Sequence, residues 1–220
     1  KMKSLKKIYA LILTIFCTID YTACPVKINI NNNQNESIYI NFSTTAGAKI
    51  NNLITSLNEQ SKNKKIFDTF EIEKSLAQLG FYNVEAISRI SNHTENLSVN
   101  CSTDKNTLNF INITFANNKI SNLSITLSPQ ILQELIISQD SIIQKYADLL
   151  MAPCFTGEEI SKDEYIDLLS SVYGKEIAEE LIQGNFTISI NNSTSKNSVL
   201  TIPFIDILTL TNETTFTLTN

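Results

Sequence analysis

Hydrophobic residues fall into three rhythms along this chain. Residues 8–19 form an almost unbroken apolar run, interrupted by Thr14 and Thr18. In SIYINFST (37–44), Ile38, Ile40 and Phe42 then alternate with polar neighbours, the period-two signature of a half-buried strand. Ile50, Leu53, Ile54 and Leu57 recur at helical spacing and predict an amphipathic helix in AGAKINNLITSLN. A second helix is predicted in FDTFEIEKSLAQLG. Asp68 is its candidate N-cap, Glu71 completes a capping box, Phe67 and Ile72 form a hydrophobic staple, and Gly80 stops it.

The middle of the chain is strand-rich. YNVEAISRI, NLSVNCST and TLNFINITFANNKISNLSITLS predict an antiparallel meander, with ANNK as a hairpin turn because Asn tolerates positive φ. One face of that meander packs on helices and its Asn and Ser face is wet. From Ser128 the rhythm becomes helical again. SPQILQELI starts with a Ser cap and Pro at the first helical position, and SIIQKYADLLM aligns Ile142, Tyr146, Leu149 and Leu150. ISKDEYIDLLSSVYG has a Ser161–Glu164 capping box, an Ile160–Tyr165 staple and Gly174 as its stop, and KEIAEELIQG closes at Gly184. NFTISIN, SVLTIPFIDILTL and TTFTLT then return to strands, with Pro203 marking an edge position or a strand start.

This order predicts an α+β fold, antiparallel sheets packed with amphipathic helices, as two coupled subdomains or one elaborate sheet. The expected divisions are an export signal (1–23), a polar tether (24–36), an α+β unit ending in the meander (37–127), and a helical segment (128–220). That last segment returns to strands packed with the preceding part.

Lys3, Lys6 and Lys7 precede the first apolar run, which is the layout of a secretory signal. As a helix that run reaches about 18 Å, short of the roughly 30 Å hydrocarbon core, and Asp20 ends it. Cleavage after Ala23 leaves Tyr21 at the −3 position, and cleavage after Cys24 leaves Pro25 beside the cut; both fit the small-residue rule poorly. YTAC resembles the lipobox of bacterial lipoproteins, in which the Cys is lipidated and becomes the new amino terminus. That resemblance makes Cys24 the candidate lipidation site and the membrane a partner through its lipid. An ordinary secreted protein and an uncleaved anchor are the alternatives.

Apolar content of 42% and charged content of 18% describe a globular chain. A net charge of −5 with Arg89 as the only arginine argues against a nucleic-acid partner, which needs clustered cations. Lys62, Lys64 and Lys65 read as a solvated loop. Asn, Ile and Lys dominate, so the many N-x-S/T and S-x-x-K matches are expected by chance.

Candidate chemistry is sparse. His93 is the single histidine, which rules out a His ligand cluster, and it reads as a loop residue. Cys101 shares a strand face with Leu97 and Val99, and Cys154 follows Pro153 at a helix end. An oxidising envelope permits a Cys101–Cys154 disulfide, two buried free thiols are the stronger reading, and a reactive nucleophile is the weakest. Glu158, Glu159, Asp163, Glu164 and Asp167 are the candidate cation or paired-carboxylate site. The plainer reading is acidic residues offsetting the positive end of a helix. No fingerprint for a metal, nucleotide or cofactor is present, so no cofactor and no resident metal are expected.

YTAC together with YADLLMAPCFTGEEISKDEYIDLLSSVYG and the flanking strand-rich segments resembles spirochaete-type lipoproteins of unknown function. The resemblance implies an envelope location, periplasmic or surface-facing, with no assigned reaction, and it carries over only Cys24. The expectation is a lipid-anchored binding or structural module whose partner is an envelope protein or small ligand. A hydrolase using carboxylates at 158–167 and a carrier of apolar ligands are the alternatives.

Overall fold

A computed structural model of the chain describes residues 25–32, 37–49, 67–78, 80–91, 94–104, 111–117, 119–137, 150–191 and 198–219. Nine strands lie within these segments: β1 (Val26–Asn32), β2 (Ser37–Ala46), β3 (Tyr82–Ser91), β4 (Thr94–Asp104), β5 (Ile111–Ala116), β6 (Lys119–Leu127), β7 (Asn185–Asn191), β8 (Ser198–Pro203) and β9 (Thr214–Thr219). The helices are α1 (Thr69–Gln78), α2 (Pro129–Ile137), α3 (Ala152–Thr156), α4 (Lys162–Tyr173), α5 (Lys175–Ile182) and α6 (Phe204–Leu208). The class is α+β. The larger sheet has six strands in the order β3-β4-β2-β1-β7-β8, and the smaller has three in the order β5-β6-β9.

Alternation along each strand of the larger sheet separates two faces. Val26, Ile28 and Ile30 of β1, Ile38, Ile40 and Phe42 of β2, Leu97, Val99 and Cys101 of β4, and Phe186, Ile188 and Ile190 of β7 are buried on one side. The same core takes in Leu123, Ile125 and Leu218 of the smaller sheet and Tyr165, Leu169 and Leu181 of α4 and α5. Each such side chain contributes roughly 1.5–3 kcal/mol on leaving water. Most polar residues of the same strands are thereby turned outward, with Thr44, Glu95 and Thr103 among the buried exceptions.

Residues 26–32 correct the expected tether. They form β1, in the interior of the larger sheet, antiparallel to β2 and parallel to β7. Asn-rich composition hid an alternation, with Lys27, Asn29 and Asn31 on the outer face and Val26, Ile28 and Ile30 on the inner one. The meander is also divided. β4 pairs with β3 and β2, whereas β5 and β6 belong to the other sheet, where β6 takes β9 as its second neighbour. The 127/128 division separates neither sheet, because β7 and β8 complete the larger and β9 completes the smaller.

Local signals mostly gave the expected ends. The Glu71 N–H donates to Asp68 Oδ1 at 3.1 Å, while the Glu71 carboxylate pairs with Lys74 at 3.0 Å. On α4 the reciprocal capping box is complete: Ser161 N–H donates to Glu164 Oε2 (3.0 Å) and Glu164 N–H to Ser161 Oγ (3.3 Å). Asn117, at φ 51°, opens the β5–β6 turn. The expected strand SVLTIPFIDILTL is broken at Pro203, on the edge strand, and continues as α6. Phe204, Ile205, Ile207 and Leu208 are all buried around a half-buried Asp206, and five residues with one polar position are too few to carry a period that separates strand from helix. The helices expected in AGAKINNLITSLN and SIIQKYADLLM lie almost wholly outside the described residues. Among the described residues no helix is long and apolar enough to cross a membrane.

Candidate functional site

Cys24 and His93 lie outside the described residues. Cys101 and Cys154 are both buried and free, so the chain holds two separate thiols where a disulfide had been one expectation. Burial pushes each thiol up to about 12. A thiol kept neutral is a poor nucleophile, which removes the support for a reactive cysteine. Tyr165 is buried beside Cys154 and donates its hydroxyl to the Leu150 carbonyl, so it acts as a packing anchor.

The acidic run does not converge. Glu158, Glu159, Asp163, Glu164 and Asp167 are all exposed. Glu164 is engaged by Ser161, whose hydroxyl and then backbone N–H hold its carboxyl below the usual range. Among the described residues no three His, Cys, Asp or Glu side chains come together as a metal site. Buried Glu95 is likewise committed: Oε1 accepts from the Phe67 N–H at 3.3 Å and from the Ser88 hydroxyl, tying the start of α1 to β3 and β4.

Chemistry accumulates instead on the outward face of the larger sheet. Register places Asn100, Asn41, Asn29 and Ser189 in one row across β4, β2, β1 and β7. Asn41 Nδ2 donates to Asn100 Oδ1 (2.7 Å), Asn29 Nδ2 to Asn41 Oδ1 (3.1 Å), and the Ser189 hydroxyl to Asn29 Oδ1. The row is a ladder of side chains that satisfy one another and stiffen the face. Beside it, Lys27, Ser43, Ser98 and Ile87 form the next row, followed by Thr45, Asn96 and Arg89.

These last two rows, with Pro25, line an open concavity of about 430 Å³. Ser43, Thr45 and Ser98 are half-buried in its floor, while Lys27, Asn96 and Arg89 are exposed around it. Thr45 Oγ1 donates to Asn96 Oδ1 at 2.7 Å. Hydroxyls both donate and accept, and the two cations only donate, so the surface suits a polar ligand that presents acceptors. The smaller sheet has a polar face too, but its threonines pair across strands, as Thr126 does with Thr215 at 2.9 Å.

None of the concavity residues was singled out from the sequence for this role. The signal was present in VKININN, whose period-two pattern sets a Lys and two Asn on one face. The partners of that face come from residues 43–45 and 87–98, and only pairing brings them together. Comparison with protein-family models, with curated proteins and with solved structures found no match to this chain.

Proposed function

We propose that this chain is an exported envelope lipoprotein, anchored through Cys24, that acts as a binding module with the outward face of its larger sheet as the binding surface. The observation that carries the binding role is the polar concavity on a sheet face stiffened by the Asn ladder. Hydroxyls and cations on a sheet face hold a polar ligand by hydrogen bonds without needing a reactive group. The hydrolase alternative has less support, because its carboxylates are dispersed and one of them caps α4. An apolar carrier needs an enclosed Ile- and Leu-lined pocket, whereas this concavity is open and sets Lys27, Arg89 and several hydroxyls beside its apolar residues.

The anchor rests on the signal layout and YTAC, and mass spectrometry of membrane-fractionated protein tests it. An acylated peptide beginning at Cys24, lost in Cys24→Ala together with membrane attachment, is the expected result. An unmodified Cys24, or a Cys24→Ala chain that is processed and membrane-bound as before, overturns it. The binding surface is tested by titrating isotope-labelled protein with muropeptides, short peptides and neutral and acidic oligosaccharides. Saturable amide shifts should map to β1, β2 and β4. Shifts confined to other surfaces, or none with any member of the panel, refute the binding role.

A further inference from the structure

Neighbouring rows on the outward sheet face differ in how far they are satisfied. The Asn100–Asn41–Asn29–Ser189 row is bonded side chain to side chain. Within the concavity, by contrast, Lys27, Ser43, Ser98 and Arg89 make no side-chain hydrogen bond or ion pair with any described residue. Lys49, Lys74, Lys162 and Lys175 each sit on a carboxylate. Lys27 and the chain's single guanidinium have no such partner among the described residues, and both border the same hollow.

The whole chain carries a net charge of −5, so two neighbouring cations with no carboxylate partner among the described residues are not the by-product of a basic surface. Glu85 is the acidic group on the same strand face, across from Asn100 and one row beyond Ile87, outside the lining. A guanidinium offers a planar fork that matches a carboxylate or phosphate, and an ammonium offers a compact point charge. Between them Ser43 and Ser98 supply groups that both donate and accept. With strands about 4.8 Å apart and residues rising about 3.4 Å, the Lys27 and Arg89 backbones are about 16 Å apart. Two long side chains and a ligand of disaccharide size fill that interval.

We infer that the concavity is a receptor site for a small acidic ligand on a hydroxylated frame, its carboxylate or phosphate groups held by Lys27 and Arg89 and its hydroxyls by Ser43 and Ser98. This inference rests on the outward face being the binding surface. It is tested by amide-shift titration of the full chain with digalacturonate, with its neutral counterpart digalactose, and with inorganic phosphate.

Digalacturonate or phosphate should give saturable shifts around Lys27, Ser43, Ser98 and Arg89, whichever is tighter identifying the acidic group as carboxylate or phosphate. Lys27→Gln and Arg89→Gln should each weaken that binding about tenfold or more, because each removes a charge-assisted hydrogen bond. Both side chains are exposed, so unchanged amide dispersion will verify that the variants fold. Digalactose should bind at least about tenfold more weakly than the acidic probe. Acidic binding that is unchanged in both variants, or no saturable shift with either acidic probe, overturns the inference. Saturable digalactose binding on this face, indifferent to both substitutions, overturns it while leaving the binding surface standing. The binding surface itself falls if the wider panel of peptides and saccharides is silent as well, or shifts only other surfaces.

Discussion

Gly184→Ala puts a methyl group where the Phe204 ring already lies. An ideal Cβ at position 184 would sit 2.7 Å from Phe204 Cε2, closer still to Cδ2, and 3.1 Å from the Leu181 carbonyl oxygen. Carbon atoms pack at about 3.5–4.0 Å, so the overlap with the ring is roughly 1 Å. Phe204 is fully buried, and its N–H donates to the Gly184 carbonyl at 3.0 Å, so the ring has nowhere to retreat without moving β8 and α6. Two effects compete. Alanine lowers the entropy of the unfolded chain, a gain of about 0.4–1 kcal/mol, and Gly184 is not among the positive-φ glycines, so its backbone accepts a side chain. Overpacking a filled core costs about 1–3 kcal/mol. The steric term is larger, and a net loss of about 1–2 kcal/mol is expected, or roughly 2–8 °C in Tm for a chain of this size. Urea unfolding followed by far-UV circular dichroism measures it, in the native background and with Phe204→Leu. The smaller side chain makes room for the methyl, so Gly184→Ala should become neutral or mildly stabilising there. An equal loss in both backgrounds, or no loss beside Phe204, refutes the steric reasoning.

Asn41→Ala removes both the donor to Asn100 and the acceptor for Asn29, and should lower stability by about 1–2 kcal/mol in the same urea assay; an unchanged midpoint would mean the ladder is only incidental. Cys101 and Cys154 should resist a thiol-specific disulfide reagent in native protein and both react in urea, whereas fast native reaction at either would contradict their burial. Their folded values, raised to about 12 by burial, lie above the unfolded value of about 8.5. The contribution is therefore full below about pH 8.5 and declines as pH rises towards 12, by about 1.4 kcal/mol per pH unit for each thiol. A Cys101→Ala, Cys154→Ala chain should lose less stability than the parent between pH 9 and about 11, and parallel curves would refute this. Glu164 has the opposite sign, its folded value being depressed by Ser161. What it contributes is present above its unfolded value of about 4.3 and is lost as pH falls through the folded one. Ser161→Ala should flatten that acid limb in a pH-jump unfolding series, and an acid limb identical to the parent's would show that the capping box carries no pH dependence.

The helix ends were the most legible features, because capping is local chemistry. Asp68, Ser161, Gly80 and Gly174 each act within one turn, so five or six consecutive residues suffice to place them. Strand alternation was legible for the same reason in SIYINFST and NFTISIN. It was misread in VKININN, where Asn content suggested a tether although Val26, Ile28 and Ile30 already marked a buried face. Phe204–Leu208 failed differently, since so short a run, with Asp206 its one polar position, looks alike as strand or helix. For the candidate chemistry, the sequence could show that Cys101 faces a core and that Glu164 serves a cap. It could not show that Lys27 and Arg89 share a hollow.

The sequence alone determined the α+β class, most strand and helix segments, the inward face of Cys101 and the acidic caps, because each is decided within a few residues of itself. Tertiary structure decided that β1 lies inside the sheet beside β7, which follows it by more than 150 residues, and that β9 closes onto β6. It also decided that the hydroxyls of β2 and β4 lie between a lysine of β1 and an arginine of β3. Strand partners are chosen by which apolar faces can be buried together, a property of the whole chain that no local window contains.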